Sequence, residues 1–415
     1  MAPRGRARTR LFVAVRRSHR WAALLDDERL VEFHVEHEGQ EGRVGDIYLG
    51  RIARVDHGLG AAFVDIGGKQ AAFLPLSELA AAPVEGADTV VQIERESQGE
   101  KGPRVTARPA LSGVRLVLLP GRRAISLSER IADKSERSRL SALARSIAEP
   151  DEGLTIRTSA IGGKEGELRD EAAVLRAVWR KLRDLRHSQQ PPAILWRQLP
   201  LDLRLLRDHG RSFEGVYYDH RGAADAAMSW CQTAIPDLVP RISFRSTGDW
   251  RPTPAEILER VEDAIQPRSA LPSGGSILIE RTEAATIIDV NSESAASLHV
   301  DNDSERLFLR INVAAAREIA HQIRLRNIGG IVLIDFIDLK DIAARRQVVD
   351  NLRAAVALDS APVWVGAMSR LGFVELTRKR RGPTLMDMLM RPCPACEGTG
   401  RLMRADGWLR AMDTM

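Results

Sequence analysis

The sequence predicts a multidomain α+β protein in which a small OB-type barrel precedes an α/β unit with parallel strands. Three observations carry that expectation. Short β-type runs between glycine turns fill Val44 to Leu79. Two apolar runs, "TIID" and "IVLID", each end in an acid and flank a long helical stretch. A length of 415 residues also exceeds what one hydrophobic core usually organises.

Taken in order, "RLFVAV" (Arg10 to Val15) reads as a strand and "WAALLDDERLVEFHVE" as the next. The Arg-rich, acid-free start also fits a transit peptide, but these two runs favour an N-terminus inside the fold. In "VGDIYLGRIARVDHGLGAAFVDIGGKQAAFLPLSEL" the runs IYLGRIARV, AAFVDI and AAFLP alternate with HGLG and IGGK turns. "TVVQIER" and "GVRLVLLP" are candidates to complete five strands. Phe63 and Phe73, ten residues apart, occupy similar places in neighbouring strands. They are either core residues or exposed rings that stack bases. Ser126 to Gln189 turns helical and charged, around a strand and Gly-rich loop at "EGLTIRTSAIGGKEGEL". "FEGVYYD" starts another strand and "PTPAEILERVEDAIQ" an amphipathic helix. "GGSILIERTEAATIIDVNSES" reads as two strands. "DSERLFLRINVAAAREIAHQIRLRN" reads as one helix, with Asp303 or Ser304 as N-cap and Gly329 past its end. "GGIVLIDFIDLKD", "RRQVVDNLRAAVAL" and "APVWVGAM" then read as strand, helix, strand, a βαβ unit with parallel pairing.

Composition narrows the classes. Hydrophobic content of 44% and charged content of 28% suit a globular protein. No apolar run reaches the roughly 18 residues that suggest a membrane span. Three cysteines make no disulfide framework, which points to a reducing cytoplasm. Seven of the 61 basic residues are lysine, leaving 54 arginines, and the net charge is +5. Either a GC-rich genome or phosphate binding accounts for that bias.

If "TIID" and "IVLID" are parallel, Asp289 and Asp335 share the C-terminal edge of the sheet, where α/β folds bind ligands. Asn291 lies on the strand face of Asp289, and Asp338 is a possible third acid. Acids after strands often only cap loops. Two carboxylates and a carboxamide also form a hard-oxygen site suited to magnesium. Near the C-terminus, "RPCPACEGTG" supplies Cys393 and Cys396, half of a tetrahedral zinc site. No thioredoxin-like pattern supports a redox pair, and none of the nine histidines follows His321. Cys231, in "MSWCQT", reads as a core residue.

The motifs "LPSGGSILIERTEAATIIDVNS", "LRNIGGIVLIDFIDL" and "RPCPACEGTGR", after the S1-like "GDIYLGRI…LGAAFVDIG…AAFLPL", closely resemble the ribonuclease E/G family. The resemblance runs from about Arg10 to Arg401. It implies a magnesium-dependent endoribonuclease of single-stranded RNA, leaving 5′-phosphate and 3′-hydroxyl ends, in RNA processing or decay. Asp289 and Asp335 match the magnesium ligands, and Asn291 their supporting carboxamide. Phe63, Phe73, Lys101 and Arg378 match RNA contacts. Arg157, Thr158, Gly113 and Val117 match a pocket that senses a 5′-monophosphate. Cys393 and Cys396 match the half-site of a zinc shared between two subunits of a homodimer.

The implied domains are an RNase H-like subdomain (1–36 with 214–278), into which the S1/OB barrel (37–121) is inserted, and a 5′-sensor region (122–213). A DNase I-like catalytic subdomain (279–392) and a zinc-link with a short tail (393–415) follow. This chain stops at Met415, where family members usually continue into a small domain. "DVNSESA" lacks a basic residue common two positions after the Asn, and "AISLSERI" is less basic than the family's sensor stretch. A non-cleaving RNA-binding adaptor of the same fold is the alternative. A bare S1 ribosome-associated protein leaves the acidic half unexplained.

Overall fold

The computed structural model describes residues 9–39, 42–79, 81–97, 101–292, 304–396, 398 and 400. The chain divides into two compact units, Met1–Glu259 and Arg260–Met415.

The first unit opens with β1 (Thr9–Val15), β2 (His19–Asp26) and β3 (Arg29–His37). The run expected as one strand after β1 is therefore two, folded back at Asp27, whose φ is 54°. Aspartate tolerates this left-handed conformation better than most residues. The barrel strands are β4 (Ile47–Asp56), β5 (Ala61–Asp65), β6 (Ala72–Pro75), β7 (Asp88–Arg95) and β8 (Arg104–Thr106). β4 pairs with both β5 and β7, which closes a five-stranded barrel around Ile52, Val64, Leu74, Val91 and Val105. The fifth strand is thus the three-residue β8, and "GVRLVLLP" belongs elsewhere.

That run forms β10 (Leu116–Pro120), next to β9 (Leu111–Ser112) and ahead of β11 (Ile125–Leu127). Helix α1 (Lys134–Ile147), β12 (Glu152–Ile156) and helix α2 (Glu165–Ser188) follow. β11, β12, β10 and β9 make a separate four-stranded sheet. Its inward Leu116, Leu118, Leu154 and Ile156 pack with Leu140, Ala144 and Leu168 of α1 and α2. β13 (Ala193–Trp196) then adds to the barrel beside β4. After α3 (Leu201–His209), β14 (Phe213–Tyr218), α4 (Arg221–Ala234) and β15 (Ile242–Phe244), the chain has completed a sheet ordered β15-β14-β1-β2-β3. Cys231 is fully buried on α4 against this sheet. Burial and the nearby Asp202 carboxylate push its thiol up to about 12, so it is an inert core residue, as expected.

Helix α5 (Pro254–Ile265) spans the boundary between the units. The second unit contains β16 (Arg268–Ala270), β17 (Ser276–Arg281), β18 (Ala285–Asn291), α6 (Ser304–Leu325) and β19 (Gly330–Asp335). It continues with α7 (Ile342–Val356), β20 (Val363–Met368), β21 (Phe373–Arg378) and α8 (Leu385–Leu389). β16 and the start of β17, expected with 214–278, hydrogen-bond into this unit's sheet instead. The order is β16-β17-β18-β19-β21-β20. The parallel pair is β18 with β19, crossed over by α6. β19 and β20 do not pair, because β21 turns back from β20 and inserts between them antiparallel to both.

One face of this sheet is apolar and covered. Ile288, Val290, Val332 and Ile334 pack against Ile311, Ala315, Ile319 and Ile323 of α6 and Val348 and Leu352 of α7. The helix α6 ends at Leu325 in a Schellman turn, with Gly329 past its end as expected but with Asn327 as the left-handed residue. Asn327 takes φ 50°, and the Ile328 amide donates to the Ile323 carbonyl at 2.9 Å. Ser304 begins α6, while Asp303 lies outside the described residues.

Candidate functional site

The acidic site follows from strand register. Side chains alternate along a strand, and partners in adjacent strands share a face. In β18, Thr286, Ile288 and Val290 are buried, so Ile287, Asp289 and Asn291 point to the open face. In β19, Val332 and Ile334 are buried, so Ile331, Leu333 and Asp335 do the same. Asp289 and Asp335 are direct cross-strand partners. Adjacent strands lie about 4.8 Å apart, so two half-buried carboxylates meet at the C-terminal edge of a parallel pair.

Asn291 Nδ2 donates to Asp289 Oδ2 at 2.7 Å, fixing that carboxylate's orientation. Burial, then the negative charges of Asp289 and Asp338, raise the Asp335 pKa above its ordinary value. Among the described residues, neither Asp289 nor Asp335 has an ion-pair partner, so this like-charge pair stands uncompensated. Asp338 is exposed and sits against the β20–β21 turn, where a Cβ on Gly372 would come within 3.2 Å of its Oδ1. It does not complete a group of three metal-ligating side chains with the pair among the described residues. Two carboxylates suffice for magnesium, which keeps waters and takes substrate phosphates as its other ligands.

Two supports were not visible in the sequence. Asn312 of α6 is fully buried and brackets Ile337. It donates to the Ile337 carbonyl at 2.7 Å and accepts from its amide at 3.1 Å. Glu305 Oε1 accepts from the amides of Lys340 and Asp341 at 2.9 and 2.8 Å. Together they tether the loop that leaves Asp335.

In the barrel, Phe63 and Phe73 are cross-strand partners, half-exposed, with ring centroids 6.2 Å apart at 84°. The Arg54 guanidinium lies 4.5 Å from the Phe63 centroid. Arg104 is beside Phe73 on β8, and Lys101 is exposed just before it. The rings are therefore not barrel core. They form an apolar platform with cations around it, suited to stacked bases and a phosphate backbone.

The four sensor residues gather at one end of the four-stranded sheet. Val117 pairs with Thr155, which puts Val117, Thr155 and Arg157 on one face. Arg157 Nη1 donates to the Gly113 carbonyl at 2.6 Å, and Nη2 donates to Asp208 Oδ1 at 2.5 Å. Thr158 is exposed, with its hydroxyl 3.1 Å from that of Ser128. A Cβ on Gly113 would lie 2.0 Å from Glu171 Oε1, so a side chain there would displace the carboxylate that accepts from the Arg115 amide. Burial pushes Asp208 up, but the Arg207 and Arg157 guanidiniums outweigh it and hold the carboxyl well below the usual range. Asp208 and Glu171 had no local sequence signal.

Arg378 departs from its expected role as an RNA contact. It is 5% exposed. Its guanidinium binds Asp359 bidentately, Nε to Oδ2 at 2.8 Å and Nη2 to Oδ1 at 3.3 Å. Nη1 donates to Asn327 Oδ1 and the Ile328 carbonyl at 2.9 and 3.1 Å. It ties β21 to the end of α6, and the exposed basic residues here are Lys379, Arg380 and Arg381. Cys393 is exposed and Cys396 half-exposed, at a turn after α8. No further thiol or imidazole joins them among the described residues.

A closed barrel with paired surface aromatics, in a chain that also carries a carboxylate pair on a sheet edge, defines an RNA-binding protein with a hydrolase-type site. Residues 41–98 match the S1 RNA binding domain, and residues 110–381 match the Ribonuclease E/G family. The chain is 34% identical to Ribonuclease G of Escherichia coli over 94% of its own length and 83% of the relative's. It is 34% identical to Ribonuclease E of Haemophilus influenzae over 94% of its own length, but only 44% of that relative's. Ribonuclease E of Nostoc is 34% identical, with 59% of it covered. This chain belongs to the ribonuclease E/G family and is an endoribonuclease by class. No helix among the described residues is long and apolar enough to cross a membrane.

Proposed function

We propose that the chain is a magnesium-dependent endoribonuclease that cuts single-stranded RNA to 5′-phosphate and 3′-hydroxyl products. The uncompensated Asp289–Asp335 pair carries the reading. Their four oxygens match the hard-oxygen preference of magnesium, and Asn291 holds Asp289 in place. When bound, magnesium would supply Lewis-acid polarisation of a phosphoryl oxygen. Phe63 and Phe73 stack the unpaired bases of the strand, which duplex RNA would hide. Arg54, Arg104 and Lys101 track its backbone. Hydrolysis adds water across one phosphodiester, leaving phosphate on one fragment and the 3′-oxygen, protonated, on the other. Arg157, ordered by Asp208 and Gly113, and the exposed Thr158 hydroxyl would bind a 5′-monophosphate.

A 3′-labelled unstructured RNA tests this reading, offered with 5′-monophosphate or 5′-hydroxyl ends, with and without magnesium. Internal cuts should appear only with magnesium and run faster on the monophosphate. Binding without cutting under every condition would replace the nuclease by an adaptor that only holds RNA.

Cys393 and Cys396 provide two thiolates, and a structural zinc takes four ligands. Two copies of the chain would complete one site and form a homodimer, in the reducing cytoplasm that three non-disulfide cysteines favour. Chelation of zinc, or Cys393→Ser with Cys396→Ser, should shift the mass from dimer to monomer by light scattering. A dimer that persists in the serine variant would remove the cysteines from assembly.

A further inference from the structure

Within the first unit, a groove of about 650 Å³ lies between the barrel and helix α2. Four arginines line it, Arg108, Arg122, Arg183 and Arg186, beside Trp179 and one acid, Glu78. The arginines converge from three separate segments, the chain after β8, the turn after β10, and α2, and Glu78 comes from the turn after β6. Trp179, Arg183 and Arg186 follow spacings of four and three, which place them on one helical face.

The cations are held in different ways. Arg108 donates to the Ser77 and Glu78 carbonyls at 3.0 and 3.3 Å. Arg122 Nη2 donates to the Arg108 carbonyl at 2.6 Å, and its buried Nε has no hydrogen-bond partner among the described residues. A guanidinium has five donors, so both heads are anchored with donors to spare. Arg183 and Arg186 are exposed, with no carboxylate within ion-pair distance among the described residues. Glu78 accepts from the Thr106 hydroxyl. A solvated helix face ordinarily mixes charge signs, whereas here one sign gathers in one concavity from several segments.

The groove is separate from the sensor pocket. Arg157 follows the Leu116–Ile156 end of the β10–β12 pair, and Pro120 marks the Glu152 end. Four residues at about 3.3 Å each put roughly 13 Å between them. It is, however, in line with the aromatic platform. Phe73 pairs with Arg104, and just past the end of β6 Glu78 meets Thr106 of β8 and Ser77 meets Arg108, beyond that strand.

We propose that this groove is a second binding site for single-stranded RNA, in which the arginines hold backbone phosphates of the strand whose bases rest on Phe63 and Phe73. Guanidinium forks match phosphate oxygens bidentately. The inference rests on reading the chain as a single-strand binder.

The test is binding of labelled 5′-hydroxyl RNA oligomers, short and long, to the full chain in chelator across a salt series. Arg183→Ala with Arg186→Ala should weaken binding by an amount that grows with oligomer length. Losing two phosphate contacts should flatten the slope of log affinity against log salt by about 1.4. Wild type would then lose roughly sevenfold more affinity than the variant between about 50 and 200 mM salt. Arg183→Lys with Arg186→Lys, which preserves both positive charges, should keep the wild-type slope. Phe63→Ala with Phe73→Ala should weaken short and long oligomers alike. If that variant binds as wild type does, the single-strand reading itself fails. An unchanged slope in the alanine pair, with the aromatic variant impaired, overturns the groove alone. Loss of tripolyphosphate binding with RNA affinity intact would assign the groove to small anions and also overturn the proposal.

Discussion

Asp335→Asn should lower the rate of single-stranded RNA cleavage by about a thousandfold or more, and Asp289→Asn should do the same. A cation that stabilises phosphoryl charge contributes several kcal/mol, and each ~1.4 kcal/mol is tenfold in rate. The two substitutions should not multiply, because either one dismantles the same pair. Stability should move the other way. Burial and the charges of Asp289 and Asp338 raise the folded-state pKa of Asp335. A raised carboxyl stabilises the fold below its unfolded pKa, and that contribution is lost as pH rises through the folded value. At neutral pH in chelator, Asp335 is therefore a charge the fold bears at a loss, and asparagine relieves it. Thermal melts in chelator should place Asp335→Asn above wild type at pH 7. The gap should close as pH falls towards the ordinary carboxylate range. Wild-type cleavage in either variant would remove the pair from the reaction.

Asp359→Ala should destabilise the second unit by about 3–5 kcal/mol, since it strands a buried guanidinium without its counter-charge. Both members of the Arg378–Asp359 pair have side chains 4% exposed. Replacing both partners with apolar residues, Arg378→Met with Asp359→Leu, should recover most of that loss. Hydrogen exchange in β19 and β21 reads the change in the unit concerned. The double variant also decides what Arg378 does. Unchanged RNA affinity in a folded double variant confirms a purely structural arginine. A tenfold drop there would restore it as an RNA contact.

What the sequence disclosed depended on how local each signal was. The β18–α6–β19 crossover was legible because two apolar strands and one long amphipathic helix have unmistakable periods. The carboxylate pair came with it, as acids at the ends of both runs. The barrel was legible as a type but not in its membership. β8 has three residues, too few to show a period, whereas the apolar "LVLLP" suits any buried sheet and pairs with β12. The burial of Arg378 had a signal that went unused: Val374, Leu376 and Arg378 alternate on the buried face of β21. Asp208, Asn312 and Asp359 were silent because each acts on a partner distant in sequence.

The carboxylate pair is located by a hydrogen-bond ladder, not by side-chain packing. That makes the site quantised. A ladder can shift only by whole residues, and a slip of one in β19 would turn Asp335 under the helices and bring Ile334 outward. No intermediate spacing exists for selection to explore. Length changes within β18 or β19 should therefore abolish the site outright, while substitutions on the exposed side of α6, away from Glu305, Asn312 and the core-facing residues, leave the ladder and the distance between the two acids untouched.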